Sequence, residues 1–113
     1  RGFVANPLNR DLKTELEFIV DTGAIYTVIP KSVAERLGLK ELGRRKFKTA
    51  NGSVVEFPVS EAHITIGEEG VTSLVAIADE RTPILLGVTT LELLGLQVDP
   101  VTGKLVPMEL MIL

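Results

Sequence analysis

The chain contains no cysteine and one histidine, and these two shortages exclude several kinds of chemistry. Without cysteine there is no disulfide framework, no thiolate zinc site and no thiol nucleophile. The single imidazole, His63, excludes metal sites built from several histidines. We expect neither a metal ion nor a cofactor. A run of about 18 apolar residues, which a membrane-spanning helix would need, is also missing from the sequence.

The charge balance argues against nucleic acid and anionic membranes as partners. Twelve basic residues stand against fifteen acidic ones, for a formal net charge of −3, whereas such binders are normally basic. At 113 residues and 45% apolar composition, the chain predicts one domain over residues 1–113 with a true core. Because the first residue is Arg1, we expect that preceding residues were removed, and we expect a cytoplasmic location.

The apolar residues alternate with polar ones along much of the chain. Leu16, Phe18 and Val20 form one such series, and the segment 62–66 forms another. Residues 71–78 are apolar or small at every position. Aromatic residues make up only 4% of the chain, so Val, Ile and Leu must fill the core. Short strands separated by glycine, proline and asparagine predict an all-β domain.

Two short segments are predicted to be helical. The first lies between Pro30 and Leu37 and ends at Gly38. Either Pro30 occupies the first helical position, or Ser32 caps the helix together with Glu35. The sequence leaves both starts open.

The second helix is predicted over Thr90 to Leu94. Thr89 and Glu92 have the spacing of a capping box, and Gly95 provides the stop. Both helices end in the pattern Glu-x-Leu-Gly-Leu, and each follows an apolar strand and a glycine. This similarity is either a coincidence or the mark of two related strand–loop–helix halves.

The dipeptide Asn51-Gly52 between two strand-like runs predicts a β-hairpin. A loop of three or five residues would place Phe47 opposite Phe57 and Lys48 opposite Glu56. We prefer this register because it pairs aromatic with aromatic and opposite charges with each other. The hairpin either packs on the body or projects from it and moves.

A carboxylate stands at the end of an apolar strand, where a charge is unfavourable. Asp21 follows Phe18-Ile19-Val20, and Thr22 and Gly23 after it suit a tight turn. Burying an unpaired carboxylate is costly, so Asp21 needs hydrogen-bond donors or a shared proton. A second apolar strand followed by glycine, at residues 84–87, occurs near the end of the chain.

These segments and their order along the chain resemble those of the retropepsin-type aspartic peptidases, the single-domain family that includes the retroviral proteases. The resemblance covers roughly residues 14–99 and suggests a cellular member. The matching segments are Asp21-Thr22-Gly23-Ala24, Thr27-Val28-Ile29-Pro30, Ala50-Asn51-Gly52 and Ile84-Leu85-Leu86-Gly87.

The resemblance implies a closed or partly closed β-barrel with two short helices that forms a homodimer. Asp21 would be the catalytic carboxylate, Thr22 would brace the loop across the dimer, and Gly23 would allow close approach of the substrate. The hairpin, about residues 46–59, would be the flap over the cleft. The implied substrate-binding residues are Gly23, Ala24, Ile25, Ala50, Asn51, Gly52 and Ile84.

Three positions depart from the retroviral pattern. Those enzymes commonly carry an acidic residue and an arginine where this chain has Ile25 and Val88, so that charged contact is lost here. The hairpin tip has one glycine, Gly52, instead of several. We expect a stiffer flap or a less enclosed cleft, and apolar pockets formed by Ile25, Val28 and Ile84.

Peptide hydrolysis by carboxylates needs one of them as a base and a second as an acid. The chain has a single Asp-Thr-Gly, so the second carboxylate must come from another copy of the chain. We predict an aspartic endopeptidase that hydrolyses peptide or protein substrates with one Asp21 from each subunit of a homodimer. The alternative is a non-catalytic dimerising or peptide-binding module of the same fold. The apolar C-terminal segment, residues 108–113, either pairs with another chain or packs on its own core.

Overall fold

The computed structural model describes residues 1–109, which form ten strands and two helices. The strands are β1 (Gly2–Asn6), β2 (Asn9–Leu16), β3 (Ile19–Val20), β4 (Thr27–Pro30), β5 (Gly43–Lys48), β6 (Val54–Ile66), β7 (Glu69–Ala78), β8 (Leu85–Leu86), β9 (Leu96–Val98) and β10 (Leu105–Pro107). The helices are α1 (Lys31–Arg36) and α2 (Val88–Leu94).

Eight of the strands form one curled sheet in the order β2-β1-β6-β7-β4-β8-β3, with β5 paired to β6 outside this path. The order begins with β2 and ends with β3, and these two strands do not pair with each other. The sheet is therefore an open half-barrel, which is the partly closed form of the predicted barrel. Most neighbours are antiparallel, but β4 runs parallel to β7, and β3 runs parallel to β8. These two parallel pairs bring the early and late segments of the chain together.

The core is aliphatic, as the low aromatic content predicts. Both helices contribute to it: Val33 and Leu37 in and just after α1, and Leu91 in α2. The sheet supplies the remaining buried residues, among them Val4, Ile29, Ala62, Ile64, Val75, Ile77 and Leu86. Each fully buried aliphatic side chain contributes about 1.5–3 kcal/mol relative to an exposed one.

Helix α1 ends as predicted but begins in a way that neither alternative describes. Its N-cap is Pro30, in an extended conformation and without a side-chain capping bond. Ser32 does not cap the helix with Glu35; its hydroxyl donates to the carboxylate of Glu80 instead. Gly38, with φ of 66°, ends the helix in the left-handed conformation that favours glycine.

Helix α2 is longer than predicted, and its capping box is wrong. It begins at Val88, with Gly87 as N-cap and no side-chain capping bond. The Thr89 N–H donates to the carbonyl of Ile25, so a tertiary contact replaces the local cap. Gly95, with φ of 71°, provides the predicted stop.

The hairpin has a loop with an odd number of residues, as predicted, but the predicted strand register is wrong by two residues. Five residues lie between Lys48 and Val54, which face each other, and Phe47 faces Val55 instead of Phe57. Pairing begins at Gly43, so the hairpin is larger than residues 46–59.

The turn itself explains this register. The Gly52 N–H donates to the Thr49 carbonyl, and the Thr49 N–H donates to the Ser53 carbonyl. The bond between Thr49 and Ser53 leaves a three-residue loop, 50–52, inside those five residues, and Gly52, with φ of 86°, has the left-handed conformation that such a loop requires. Turn geometry therefore outweighs the cross-strand pairs on which the prediction was based.

The last described strands form a separate small sheet. Strand β9 pairs with β10 across a turn at residues 99–103. Beyond β10, Met108 N–H donates to the Gly95 carbonyl. Much of the predicted C-terminal pairing segment, residues 110–113, lies outside the described residues. Within residues 1–109, no helix is long and apolar enough to cross a membrane.

Candidate active site

Asp21 lies where β3 ends at the edge of the sheet. The Ile19 N–H donates to the Ile84 carbonyl at 2.8 Å, and the Asp21 N–H donates to the Leu86 carbonyl at 3.1 Å. These bonds continue the parallel pairing of β3 with β8. The fold thus joins two motifs that the sequence places more than sixty residues apart.

The carboxylate of Asp21 is half-buried and is held by its own loop. Its Oδ1 accepts the Gly23 N–H at 2.9 Å, and the Asp21 carbonyl accepts the Ala24 N–H at 3.1 Å. A Cβ atom on Gly23 would lie 3.2 Å from this Oδ1, so a side chain there would crowd the carboxylate. Partial exposure and this donor reduce the cost of a charge at the strand end.

The N-terminus of α2 forms backbone hydrogen bonds with the Asp21 loop, residues 21–26, which connects β3 to β4. The Val88 N–H donates to the Ala24 carbonyl at 2.8 Å, and the Thr89 N–H donates to the Ile25 carbonyl at 3.1 Å. The first N–H groups of a helix lack partners within it, so the loop satisfies them and is fixed in return. Ile25 and Val88 lack the charges that retroviral enzymes carry at these positions. Backbone hydrogen bonds, from Val88 to Ala24 and from Thr89 to Ile25, nevertheless join the two segments.

Gly87 allows the helix to approach this closely. A Cβ atom at Gly87 would lie 2.5 Å from the Tyr26 carbonyl oxygen and 2.7 Å from the Thr27 nitrogen, closer than real Cβ atoms approach other atoms. The sequence showed an apolar strand followed by a glycine at residues 84–87, ahead of the second helix. It did not reveal that the glycine lies directly against the loop that follows Asp21.

A chain of buried hydroxyl groups lies behind the same loop. Thr27 Oγ1 accepts the Gly87 N–H at 3.0 Å and lies 2.6 Å from Thr90 Oγ1, which lies 3.0 Å from Ser73 Oγ. Ser73 donates onward to the Leu74 carbonyl. One direction of donation, from Thr27 to Thr90 to Ser73, satisfies every hydroxyl. These bonds tie β4, α2 and β7 together, and no sequence pattern signals them.

The other predicted site residues divide into two groups. Thr22, Gly23 and Ile25 are exposed beside Asp21, with Ile25 at 65% exposure, and Ala24 is partly buried. Ile84 is partly buried and joins them through β8. The second group, Ala50, Asn51 and Gly52, is exposed at the hairpin tip. Within residues 1–109, no hydrogen bond joins the tip to the Asp21 loop.

The hairpin contacts this loop through aromatic rings instead. Tyr26 meets Phe47 edge-on with ring centroids 5.6 Å apart, and Phe47 lies 5.9 Å from Phe57. The two phenylalanines, although not directly opposite, share one face of the hairpin. The chain has four phenylalanines and one tyrosine, so this cluster uses most of its aromatic rings. Sequence reasoning found the two Phe residues and missed Tyr26.

The charges of the hairpin base pair differently from the prediction. Glu56 accepts from Arg44 Nε at 2.8 Å instead of pairing with Lys48, and Arg44 also reaches Glu41 at 3.2 Å. These bonds, mainly the one to Glu56, raise the pKa of Arg44. In the described part of the chain, no group of three or more His, Asp or Glu side chains could hold a metal ion.

The open β half-barrel, with Asp-Thr-Gly at a strand end and two short helices, agrees with the all-β retropepsin-like fold that the resemblance implied. The family described as gag-polyprotein putative aspartyl protease matches residues 12–93, which is well over half of the sequence. The chain belongs to this family, and the predicted resemblance to retropepsin-like peptidases is confirmed. No curated protein matches the chain.

Proposed function

We propose that this protein is an aspartic endopeptidase whose active site forms between two copies of the chain. The observation that supports it most is the position of Asp21. The carboxylate is accessible, lies at the sheet edge and is held by a loop that α2 fixes from behind. The family to which the chain belongs points to the same chemistry.

A single carboxylate cannot perform the reaction alone. Peptide hydrolysis by this route needs a base that activates water and an acid that protonates the leaving nitrogen. At pH 7, only about one in a thousand carboxyl groups with an ordinary aspartate pKa is protonated. The chain has one Asp-Thr-Gly, and its other aspartates, Asp11, Asp79 and Asp99, lie elsewhere in the fold.

Two copies of Asp21 brought together by a two-fold axis would solve this problem. Carboxylates about 4 Å apart repel each other by roughly 4 kcal/mol at an effective dielectric constant of 20. That energy is equivalent to about three pKa units, enough to keep one proton on the pair. The paired aspartates of aspartic proteases are the known example of this behaviour, and the same logic applies to two Asp21 side chains.

In the proposed reaction, the charged carboxylate takes a proton from water as the water oxygen attacks the substrate carbonyl carbon. The protonated carboxyl group then gives its proton to the leaving nitrogen as the C–N bond breaks, which yields a carboxylic acid and an amine and leaves one proton on the pair of carboxylates. Water is the nucleophile, so no covalent bond forms between protein and substrate. The role of Gly23 is to keep the loop backbone open to the peptide, and that of Thr22 is to brace the loop against the partner.

The surface around Asp21 supports association of two chains. Strand β3 is an end strand of the sheet, and its residues Ile19 and Val20 are 57% and 38% exposed. Exposed apolar side chains on an unpaired strand edge favour contact with another chain. A partner there would bring its own Asp21 close to the first.

We further propose that the substrate carries apolar side chains next to the cleaved bond. Ile25 is largely exposed beside Asp21, and Val28 and Ile84 are partly exposed near it. Neither Ile25 nor Val88 offers a charge to a substrate. A cleavage profile dominated by charged residues on both sides of the bond would contradict this specificity.

The decisive variant is Asp21→Asn, which keeps the size of the side chain and removes its charge. Wild-type protein should cleave members of an unbiased peptide library between acidic and neutral pH, and the variant should cleave none while keeping the same assembly mass. Sedimentation velocity measures that mass. A wild-type dimer that binds peptides without hydrolysing any would instead support the non-catalytic binding module.

A further inference from the structure

The loop between β7 and β8 is attached to α1 by one side chain. Glu80 Oε1 accepts the Ser32 hydroxyl at 2.7 Å, and Glu80 Oε2 accepts the Ser32 N–H at 3.1 Å. Ser32 is the second residue of α1, whose N-cap, Pro30, offers no side-chain acceptor. Glu80 therefore caps the helix from another part of the chain, and its negative charge lies at the helix end that favours it.

The same loop is also ordered internally. Asp79 Oδ1 accepts the N–H groups of Arg81 and Thr82 and the hydroxyl of Thr82, each at 3.0 Å. Before the loop, Ala78 pairs with Pro30, so β7 ends beside the start of α1. Asp79 gives the loop its shape, and Glu80 fixes that shape to the body of the protein.

The loop leads directly to the candidate site. It ends at Ile84, whose carbonyl accepts the Ile19 N–H, two residues before Asp21. Ile84 is also one of the side chains proposed to contact substrate. A shift of residues 79–83 would therefore move Ile84 relative to the catalytic carboxylate, whereas the Leu86–Asp21 and Thr27–Gly87 bonds hold the later residues independently.

We propose that Glu80 is a positioning residue for substrate binding: by holding Ser32, it sets the position of the loop and of Ile84 in the cleft. This inference rests on the proposed peptidase function. Glu80 does not touch the reacting atoms, so its loss should weaken substrate binding and leave the chemical step largely intact. The hydrogen bonds from the Ser32 hydroxyl and N–H lower the pKa of Glu80.

The test compares Glu80→Ala with Glu80→Gln, using a peptide that the wild-type protein cleaves. Alanine removes both bonds, so KM should rise about threefold to tenfold with kcat changed less than twofold. Glutamine keeps an acceptor for the Ser32 N–H and should restore most of the wild-type KM. Ser32→Ala, which removes the hydroxyl alone, should give an intermediate KM. Glu68→Ala, at an exposed turn remote from this loop, is the matched control.

Hydrogen exchange provides a second measurement that does not depend on activity. Amides of Thr82 and Ile84 should exchange faster in Glu80→Ala than in the wild type, whereas the Gly87 amide, which Thr27 holds, should not, and neither change should occur in Glu68→Ala. An unchanged KM in an active Glu80→Ala protein would overturn the inference and leave the proposed function intact. Equal losses of kcat in the alanine and glutamine variants would also overturn it. A wild-type protein without Asp21-dependent cleavage would overturn the proposed function, and the inference with it.

Discussion

The hydroxyl oxygens of Thr27 and Thr90 lie 2.6 Å apart in the interior, although 63 positions separate these residues in the chain. Both side chains are completely buried. Their bond joins β4, which follows the Asp21 loop, to α2, which holds that loop from behind. The pair therefore connects the segment that follows the Asp21 loop to the helix that contacts this loop, at a point that water does not reach.

Thr90→Val should destabilise the protein by about 1–3 kcal/mol, because it leaves the hydroxyls of Thr27 and Ser73 buried without their shared partner. Valine has nearly the same shape, so loss of packing contributes little. Urea denaturation measures the change in the free energy of unfolding. Thr90→Ser keeps the hydroxyl and should retain the hydrogen-bond contribution, losing only what the methyl group adds. A valine variant as stable as the wild type would show that the hydroxyl chain contributes nothing.

Gly87→Ala should disrupt the candidate site, since the new methyl group would meet the backbone of Tyr26 and Thr27. Forced displacement in a packed region costs about 1–3 kcal/mol. We expect a lower free energy of unfolding and loss of peptide cleavage, because the helix and the Asp21 loop can no longer approach each other.

Gly43→Ala is a matched control for this variant. A Cβ atom at Gly43 would have no neighbour within 4 Å, and this glycine lies outside the left-handed region. Its stability and activity should remain close to those of the wild type. Equal effects of the two substitutions would mean that the close approach at Gly87 does not matter.

Local motifs predicted much of this architecture. The alternating apolar residues indicated the strands, and Gly38 and Gly95 marked the ends of both helices, because each signal depends on residues close in sequence. Asp21 could be singled out since a carboxylate at the end of an apolar strand conflicts with its surroundings.

Contacts between distant segments could not be predicted in the same way. The Thr89 N–H donates to the carbonyl of Ile25 instead of taking part in a capping box. The Ser32 hydroxyl donates to Glu80, and Ser32 does not pair with Glu35. In both cases a tertiary partner satisfied the same polar group as the predicted local one. The hairpin register followed the left-handed Gly52 and not the side-chain pairs. Energies of a few tenths of a kcal/mol per pair are too small to decide between such alternatives.

Stability should depend on the charge of Asp79 in acid. Hydrogen bonds from the Thr82 hydroxyl and from the Arg81 and Thr82 backbone N–H groups lower the pKa of Asp79. A carboxyl group with a lower pKa in the folded state stabilises that state fully above its unfolded pKa, about 3.9. This contribution disappears as the pH falls through the lower, folded-state pKa.

Asp79→Asn reproduces the neutral form, so its stability difference from the wild type should be largest near neutral pH and should shrink below about pH 4. Urea denaturation at a series of pH values gives this difference directly. Asp11→Asn, on the exposed strand β2, controls for the loss of one surface charge. A difference for Asp79→Asn that stays constant from pH 7 to pH 3, or grows in acid, would contradict the assignment.

Subunit mixing distinguishes a dyad shared between two chains from activity within one. Asp21→Asn protein added in ninefold excess should reduce the activity of a fixed amount of wild-type protein to about one tenth, because most wild-type chains then pair with an inactive partner. The mixture must be given time to exchange subunits, and substrate must be in large excess over total protein. Adding the variant together with the substrate, without time for exchange, controls for sequestration of the peptide. A monomeric catalyst would keep its full activity in both arrangements, and that result would rule out a shared pair of Asp21 carboxylates.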